Sequence, residues 1–282
     1  MVSANSAARW TDEFDVGEGV DHHSYSAIHT FASMCQLKYR YQYIDRRPQE
    51  CVADNLVLGT AIDLALKTID QDLIHGKPPN VAFALQVFRT SLERAFSNPE
   101  LPVASTKGET LESLYEKGKK LIEHYVSRLD QDDVLPVELP LYFKVPLIDE
   151  KGEALPRPLT GKLDRWVKSQ DGGIGIDDWK TAAARWPADK IAKDDQSTAY
   201  LLGGEQILGE VPKFFRYVLL LKTKDPAVEP YFAHRTQTDR RRFLRKVTEV
   251  DKALKSGAFL PNDESFTCST CSFRNACRTW QD

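Results

Sequence analysis

Asp164, Asp178 and Lys180 are the residues of this chain whose types and spacing could do chemistry together. They fall in LTGKLDRWVK and IGIDDWKTA, two short apolar runs separated by the Gly-containing turn SQDGG, a pattern that predicts a β-hairpin. Side chains alternate across a strand, so Ile174, Ile176, Asp178 and Lys180 share one face while Asp177 and Trp179 take the other. A carboxylate and an ammonium on an otherwise apolar face are costly unless they are used or satisfied. Asp164, on the preceding strand, comes close enough after a short turn to face Asp178. Two carboxylates converging beside an ammonium can hold one or two divalent cations, lower the pKa of a bound water and stabilise the charge that develops as a phosphodiester is cleaved. Asp177 is the rival ligand, and the two-residue period favours Asp178. Taken alone, Asp and Lys two apart on a strand also make a common solvated salt bridge.

A second group of reactive residues lies at the end of the chain. Cys268, Cys271 and Cys277 form a C-x2-C-x5-C set in a loop-like segment. Thiolates so spaced read as ligands of zinc or of an iron–sulfur cluster, and spacing alone does not choose between them. A fourth ligand is needed, for which Cys35 and Cys51 are the candidates. If Cys35 joins, the group clips the N-terminal helical region to the C-terminus; closure entropy grows only logarithmically with loop length, so such a clip is physically reasonable. The polar, acidic N-terminus lacks a basic-then-apolar signal pattern, and the chain reads as cytoplasmic, where cysteines serve metals or reactivity rather than disulfides. No stretch of about 18 apolar residues predicts a membrane span.

The elements that must position these residues follow from patterning. The 282 residues are 41% hydrophobic and 28% charged, which excludes collagen-like, disordered and disulfide-dense chains. The net charge of −3 gives no global basic field. Basic charge is local: residues 235–255 hold eight Lys/Arg against three Asp/Glu, concentrated in Arg240, Arg241, Arg242, Arg245 and Lys246, a run that could steer a polyanion or could simply be a solvated helix face. Residues 1–23, ending in His22-His23, read as a tail. Helices are predicted over an aromatic-rich 25–44 and over 54–70, 80–97 and 110–129. After Gln131 the pattern changes to strand: 134–148 is rich in Val, Leu, Tyr and Phe but broken by prolines, as at a sheet edge. Beyond the hairpin come one helix from about Ala188 to Leu208, a strand pair in KFFRYVLLLK and VEPYFAHR, and a helix over TDRRRFLRKVTEVDKAL. Gln196 and Tyr200, four apart, share a face of the first of these helices. The expected fold is α/β (α+β), with helices around a central mixed sheet.

Taken in order, these residues resemble the PD-(D/E)XK nuclease superfamily in its RecB-like branch, closest to CRISPR-associated iron–sulfur exonucleases and their phage-borne relatives. The resemblance rests on Gly161 to Asp164 for a G-x-x-D strand, Asp178-Trp179-Lys180 for a D-x-K strand, Gln196 to Tyr200 for a Q-x-x-x-Y helix, and Cys35 with the three tail cysteines. It spans residues from about 25 to 280. One departure is clear: Gly59-Thr60-Ala61-Ile62 is followed by Asp63 where the family carries histidine, which would shift the site toward all-oxygen coordination of Mg²⁺ or Mn²⁺.

The resemblance implies a restriction-endonuclease-like core over 131–256, a helical region over 24–130 and a cluster segment over 257–282 packing with Cys35. It implies Asp63, Asp164, Asp178 and the Trp179 carbonyl as metal ligands, Lys180 as the residue that orients or activates the attacking water, and Gln196 and Tyr200 as positioning residues. Cys35, Cys268, Cys271 and Cys277 would hold a structural [4Fe–4S] cluster, leaving Cys51 a structural thiol. The expected activity is a metal-dependent DNA exonuclease acting on single-stranded ends, with a helicase or CRISPR integration protein as candidate partner. The alternatives are a non-catalytic DNA-binding or adaptor subunit, with Asp63 marking a degraded site, and a zinc-stabilised interaction module.

Overall fold

The computed structural model describes residues 21–138 and 141–280. β1 (His23–Ser24) passes into α1 (Tyr25–His29), whose first turn is capped by the Ser24 hydroxyl accepting the Ala27 N–H. A π-helical turn over Thr30–Met34, α2 (Gln36–Tyr39) and a second π-helical turn over Arg40–Ile44 follow. The single helix expected over 25–44 is therefore interrupted. The break is at Cys35, whose extended backbone (φ −164°) lets its Sγ cap α2 by accepting the Lys38 N–H. The tail expectation also fails at its end: His23 pairs in register with Leu159, is fully buried, and its Nε2 lies 3.1 Å from Asp251 Oδ1. Residues 1–20 lie outside the described residues.

β2 (Val52–Ala53), α3 (Asp54–Ile74), α4 (Val81–Phe96), β3 (Val103–Ala104) and α5 (Leu111–Ser127) build a helical layer. The strand region then opens with β4 (Val134–Glu138) and β5 (Leu141–Val145), which belong to different sheets. β6 (Leu159–Leu163) and β7 (Arg165–Ser169) also separate, because the chain changes sheet at Asp164; the hairpin proper is β7 with β8 (Ile174–Ala182). The helix expected over 188–208 divides into α6 (Ala188–Lys193) and α7 (Asp195–Leu208), since Asp194 is extended and its carboxylate caps α7. β9 (Phe214–Leu221), β10 (Ala227–Ala233), α8 (Gln237–Ser256) and α9 (Arg274–Arg278) complete the chain. A capping box of Thr236 and Asp239 starts α8, and Gly257, at φ +71°, ends it in the left-handed conformation that glycine adopts without strain.

The main sheet has the order β10-β9-β8-β7-β4 and is mixed: β8 runs parallel to β9 and antiparallel to β7. A smaller sheet, β1-β6-β5, packs beside it. Alternation along β9 shows how the layers form. Phe215, Tyr217, Leu219 and Leu221 point to one core with Phe143, Leu202, Phe243 and Val247. Val218 and Leu220, with Trp179 of β8, point to the other, against Leu58, Ile62, Phe88 and Leu121 of the helical layer.

On that second face a row of charges crosses three neighbouring strands. Asp177 of β8 is in register with Arg165 of β7 and Arg216 of β9, and its carboxylate accepts from both: Arg165 Nη2 at 2.9 Å, Arg216 Nε at 2.9 Å and Nη2 at 2.6 Å. Arg165 reaches on to Asp70 of α3 (2.6 Å) and the Tyr125 hydroxyl of α5 (3.1 Å), while Arg216 reaches Asp132 at 2.7 Å. Arg165 is 1% exposed, and Asp70 and Asp177 are 0% exposed. Removing one partner from such a network leaves a buried charge uncompensated. Arg165→Met is therefore expected to lower stability by about 3–5 kcal/mol in urea unfolding; a loss below about 1 kcal/mol would show that the row does not hold the layers together.

Candidate active site

The opposite face of β8 carries Asp178 and Lys180. Phasing does this: once Asp177 points to the arginines, Asp178 and Lys180 must point toward α7. Asp178 is 2% exposed; its Oδ1 accepts from Gln196 Nε2 at 2.7 Å, and its Oδ2 lies 2.5 Å from Lys180 Nζ. Gln196 is placed by the Asp194 cap at the start of α7. Tyr200, one turn further along α7, packs its ring against Phe143 and Phe215. Asp164 sits at the crossing between sheets, where its Oδ2 accepts the Trp179 N–H at 3.2 Å. Asp63 projects from α3 and is ion-paired with Lys67 one turn along the same helix.

The electrostatics of the group are those of carboxylates brought together in a dry place. Burial pushes the Asp178 carboxyl up to about 7, with Lys180 opposing and Asp164 adding to the shift. Asp164 is raised as well, first by burial and then by Asp63, against the pull of Lys180. Burial disfavours the Lys180 ammonium, but the Asp178 and Asp164 carboxylates outweigh it and hold its pKa above the ordinary value. Lys180 is thus a firm cation in this arrangement.

Gly161 has a packing reason rather than a ligand one. A Cβ there would overlap the ring of Phe143, and one at Gly203 of α7 would come within 2.6 Å of the same ring. The two glycines let α7 and β6 close on Phe143, which brings Gln196 and Tyr200 down to the carboxylates. The Gly203-Gly204 pair therefore serves close approach within α7.

Among the described residues no three His, Cys, Asp or Glu side chains stand ready to share one metal ion. In the carboxylate group each acid leans to a protein partner: Asp63 to Lys67, Asp178 to Lys180 and Gln196, Asp164 to the Trp179 amide. The donor chemistry nonetheless suits a hard divalent cation: Asp63 Oδ1 is buried without a hydrogen-bond partner, and Asp164 is close enough to Asp63 and to Asp178 for their charges to act on one another. Sequence reasoning missed Lys67, whose signal was its place four residues after Asp63 on a helix.

The cysteines converge elsewhere. Cys35, Cys268, Cys271 and Cys277 line one cavity of about 350 Å³, together with Lys38, Tyr41 and Arg274. Cys35 Sγ accepts two backbone N–H groups, from Lys38 and Asn262, each at 3.4 Å. Burial and the neighbouring sulfurs raise the Cys268 and Cys277 thiols. Four sulfurs lining one cavity have the chemistry for either zinc or an iron–sulfur group, although among the described residues no three of them stand ready to share one ion. Cys51 stands apart, its thiol donating to the Cys271 carbonyl at 3.6 Å.

The basic run on α8 is not brought to the carboxylates. Arg240 pairs with Glu205 at 2.6 Å, Arg241 with Glu150 at 3.2 Å and Lys246 with Asp195, while Arg242 and Arg245 are exposed.

A mixed sheet flanked by helices, with an Asp-x-Lys pair on its central strand, Asp164 just ahead of the neighbouring strand and Gln196 facing from α7, points to a nuclease class of fold. The chain belongs to the PD-(D/E)XK nuclease superfamily, which it matches over residues 22–278. Its fold is similar to that of a proposed exonuclease from Eubacterium rectale, at 16% identity over 97% of this chain and 95% of that one, with a TM-score of 0.60. A structure of SSO0001 aligns at 11% identity over 88% of this chain and 94% of its own, with a TM-score of 0.36. No curated protein matches the sequence.

The Asp178 environment makes a prediction about the metal-free protein. In acid both folded and unfolded chains hold the proton, and the residue carries no penalty. As pH rises, the unfolded chain ionises first, so stability falls until the folded carboxyl also ionises, through about 7. At about 1.4 kcal/mol per pKa unit the loss amounts to a few kcal/mol. Urea unfolding of EDTA-treated protein between about pH 4 and 8 should show this decline, and Asp178→Asn should make it shallower, with Asp164 and Asp70 supplying the remainder. An equal decline in both proteins would place the titration elsewhere.

Proposed function

We propose that this chain is a metal-dependent DNA exonuclease acting on single-stranded ends, with a [4Fe–4S] cluster held by Cys35, Cys268, Cys271 and Cys277. The observation that carries the reading is the convergence of Asp164, Asp178 and Lys180 on one face of the sheet, with Gln196 fixing the Asp178 carboxylate at 2.7 Å. The family match supports phosphodiester hydrolysis. The choice of exonuclease and of single strands draws on the resemblance to RecB-like iron–sulfur exonucleases and on the Eubacterium rectale fold neighbour.

In this reading Asp63, Asp164, Asp178 and the Trp179 carbonyl hold Mg²⁺ or Mn²⁺. When bound there, such an ion supplies an acidified water and a counter-charge for the phosphate. Asp63, ion-paired with Lys67 one turn along α3, would contribute a carboxylate oxygen to such an ion. Lys180, held as an ammonium by Asp178 and Asp164, donates to the attacking water and to the oxygens that gain charge, rather than abstracting a proton. Gln196 keeps Asp178 in one rotamer, and Tyr200 keeps Gln196 in place.

The test is cleavage of end-labelled single-stranded DNA by anaerobically purified protein in Mg²⁺, Mn²⁺ or EDTA. Asp178→Ala and Lys180→Ala should each lower the rate by at least about a hundredfold while the protein stays folded, and EDTA should abolish it. Release of mononucleotides rather than internal fragments is the expected product pattern. A folded, cluster-bearing wild type that binds DNA but cleaves none would assign the chain to the non-catalytic DNA-binding alternative.

The cluster is tested separately. The protein should be brown, with about four irons per chain, and Cys268→Ala should lose both colour and iron. A colourless protein with one zinc per chain would replace the cluster by zinc.

A further inference from the structure

β8 ends at Ala182, two residues past Lys180, and the chain runs on through Ala183-Ala184-Arg185-Trp186-Pro187 into α6. These residues form one side of a cleft of about 870 Å³. Asn55 and Leu58 of α3, Lys107 and Lys117 around the start of α5, and Lys222 after β9 close it from other sides. Thr267, Ser269 and Thr270 of the cysteine segment form its far rim. The cleft thus begins at the end of the strand that carries Lys180, although Asp63, Asp164, Asp178 and Lys180 do not themselves line it, and runs to the cysteine segment.

Its charge opposes that of the whole chain. The protein carries a net −3, yet the cleft is lined by five cations, Lys107, Lys117, Arg185, Lys190 and Lys222, against Asp54 and Glu109. Lys117 is neutralised by Glu109, and Arg185 by Glu229. Among the described residues no carboxylate ion-pairs with Lys107, Lys190 or Lys222. Lys190 and Lys222 both have pKa values lowered, first by burial; Asp194 and Asp54 respectively oppose this, while Lys180 depresses Lys190 further and Lys117 and Lys107 do the same to Lys222. These are crowded cations that an anion would relieve, and Lys190 feels the field of the site lysine itself.

The cleft also holds a flat aromatic surface. Trp186 packs one way on Tyr217, with ring centroids 5.2 Å apart, and carries the Lys190 ammonium 3.7 Å from its ring centroid. Ala183 and Ala184, both exposed, leave the approach to the ring low and open. We propose that this cleft is the path of the single-stranded DNA, with Trp186 as a stacking platform for an unpaired base and Lys190, Lys222 and Lys107 as its phosphate partners. The inference deepens the nuclease reading and rests on it for the identity of the polymer. A base arriving on Trp186 takes the place of the ammonium, which swings to the adjoining phosphate. Stacking on an indole requires an unpaired base and tolerates any of the four, so the cleft selects for strand state rather than sequence. The α8 run, by contrast, has three of its five cations already paired in place.

The experiment is fluorescence anisotropy of a labelled oligothymidine with full-length, cluster-bearing protein in EDTA, which separates binding from cleavage. Trp186→Ala should weaken binding about tenfold and abolish the tryptophan quenching that accompanies it. Lys190→Gln and Lys222→Gln should each reduce the slope of log affinity against log salt by about 0.7. Trp186→Phe, which keeps a ring in place, should restore most of the affinity and guards against a folding artefact. A combined change of Arg241, Arg242 and Arg245 to Gln should leave affinity within about twofold. Wild-type affinity and salt slope in the cleft variants would overturn the proposal, as would loss of binding in the α8 variant alone. Duplex DNA that binds as tightly and depends equally on Trp186 would overturn the strand selectivity. Failure of the nuclease reading looks different: the cleft variants would still lose binding in EDTA, while wild-type protein given Mg²⁺ or Mn²⁺ would cleave no more than Asp178→Ala.

Discussion

A buried carboxylate held between two guanidinium groups sets the geometry on which the rest of the structure depends. Asp177 is in register with Arg165 and Arg216 on the neighbouring strands, and both arginines are anchored again beyond it, one on Asp70 and Tyr125, the other on Asp132. A one-residue slip of β8 would place Asp178 against the arginines and drive Asp177 into the apolar side with α7. Such a slip strands charges on both faces, so the register is fixed electrostatically as well as by packing. Buried pairs of this kind add little net stability compared with a well-packed apolar core, and their value here lies in specifying one alignment.

From that alignment the opposite face follows. Asp178 and Lys180 are carried toward α7, where two glycines close on Phe143 and bring Gln196 to hydrogen-bonding distance. Asp164 reaches the same place by another route, standing where the chain leaves the small sheet for the large one. The carboxylates then face one another with little water, which raises Asp164 and Asp178 and holds Lys180 charged. In this state every acid of the group leans on a lysine, an amide or a glutamine. Those partners stand in for a counter-charge that the acids cannot supply to one another.

Much of this was legible in the sequence because it rests on short-range periodicity. Two-residue alternation along 174–182 separated Asp178 from Asp177, and four-residue spacing placed Gln196 with Tyr200 on one helix face. What escaped depends on where the chain changes partners. Nothing local to Asp164 says that β6 and β7 join different sheets, and Asp194 reads as an ordinary helical residue until its carboxylate is seen to cap α7. His23 looked like part of a solvated tail because its partner, Asp251, lies more than two hundred residues away. The basic run on α8 was the loudest charge signal, yet ion pairs with Glu205, Glu150 and Asp195 quiet it. The cleft lysines with no ion pair among the described residues, Lys107, Lys190 and Lys222, come from three separate segments and form no run at all.

The cysteine segment shows how remote parts of the chain are made to cooperate. Glu50 accepts the N–H groups of Asn275 and Ala276, Tyr41 donates to the Ala276 carbonyl, and the Asn262 side chain donates to the Met34 carbonyl. These bonds already bring the two ends of the chain together around the four sulfurs, so a group bound there would be ordering a preformed loop rather than closing a free one. The residues between and beside the cysteines, Thr267, Ser269 and Thr270, are also the far rim of the cleft that begins at the end of the strand carrying Lys180. Because Cys268 and Cys271 bracket two of those three residues, anything that fixes the sulfurs fixes the rim. The placement of the cysteines and the shape of the cleft are thereby one structural problem, solved by one segment of chain.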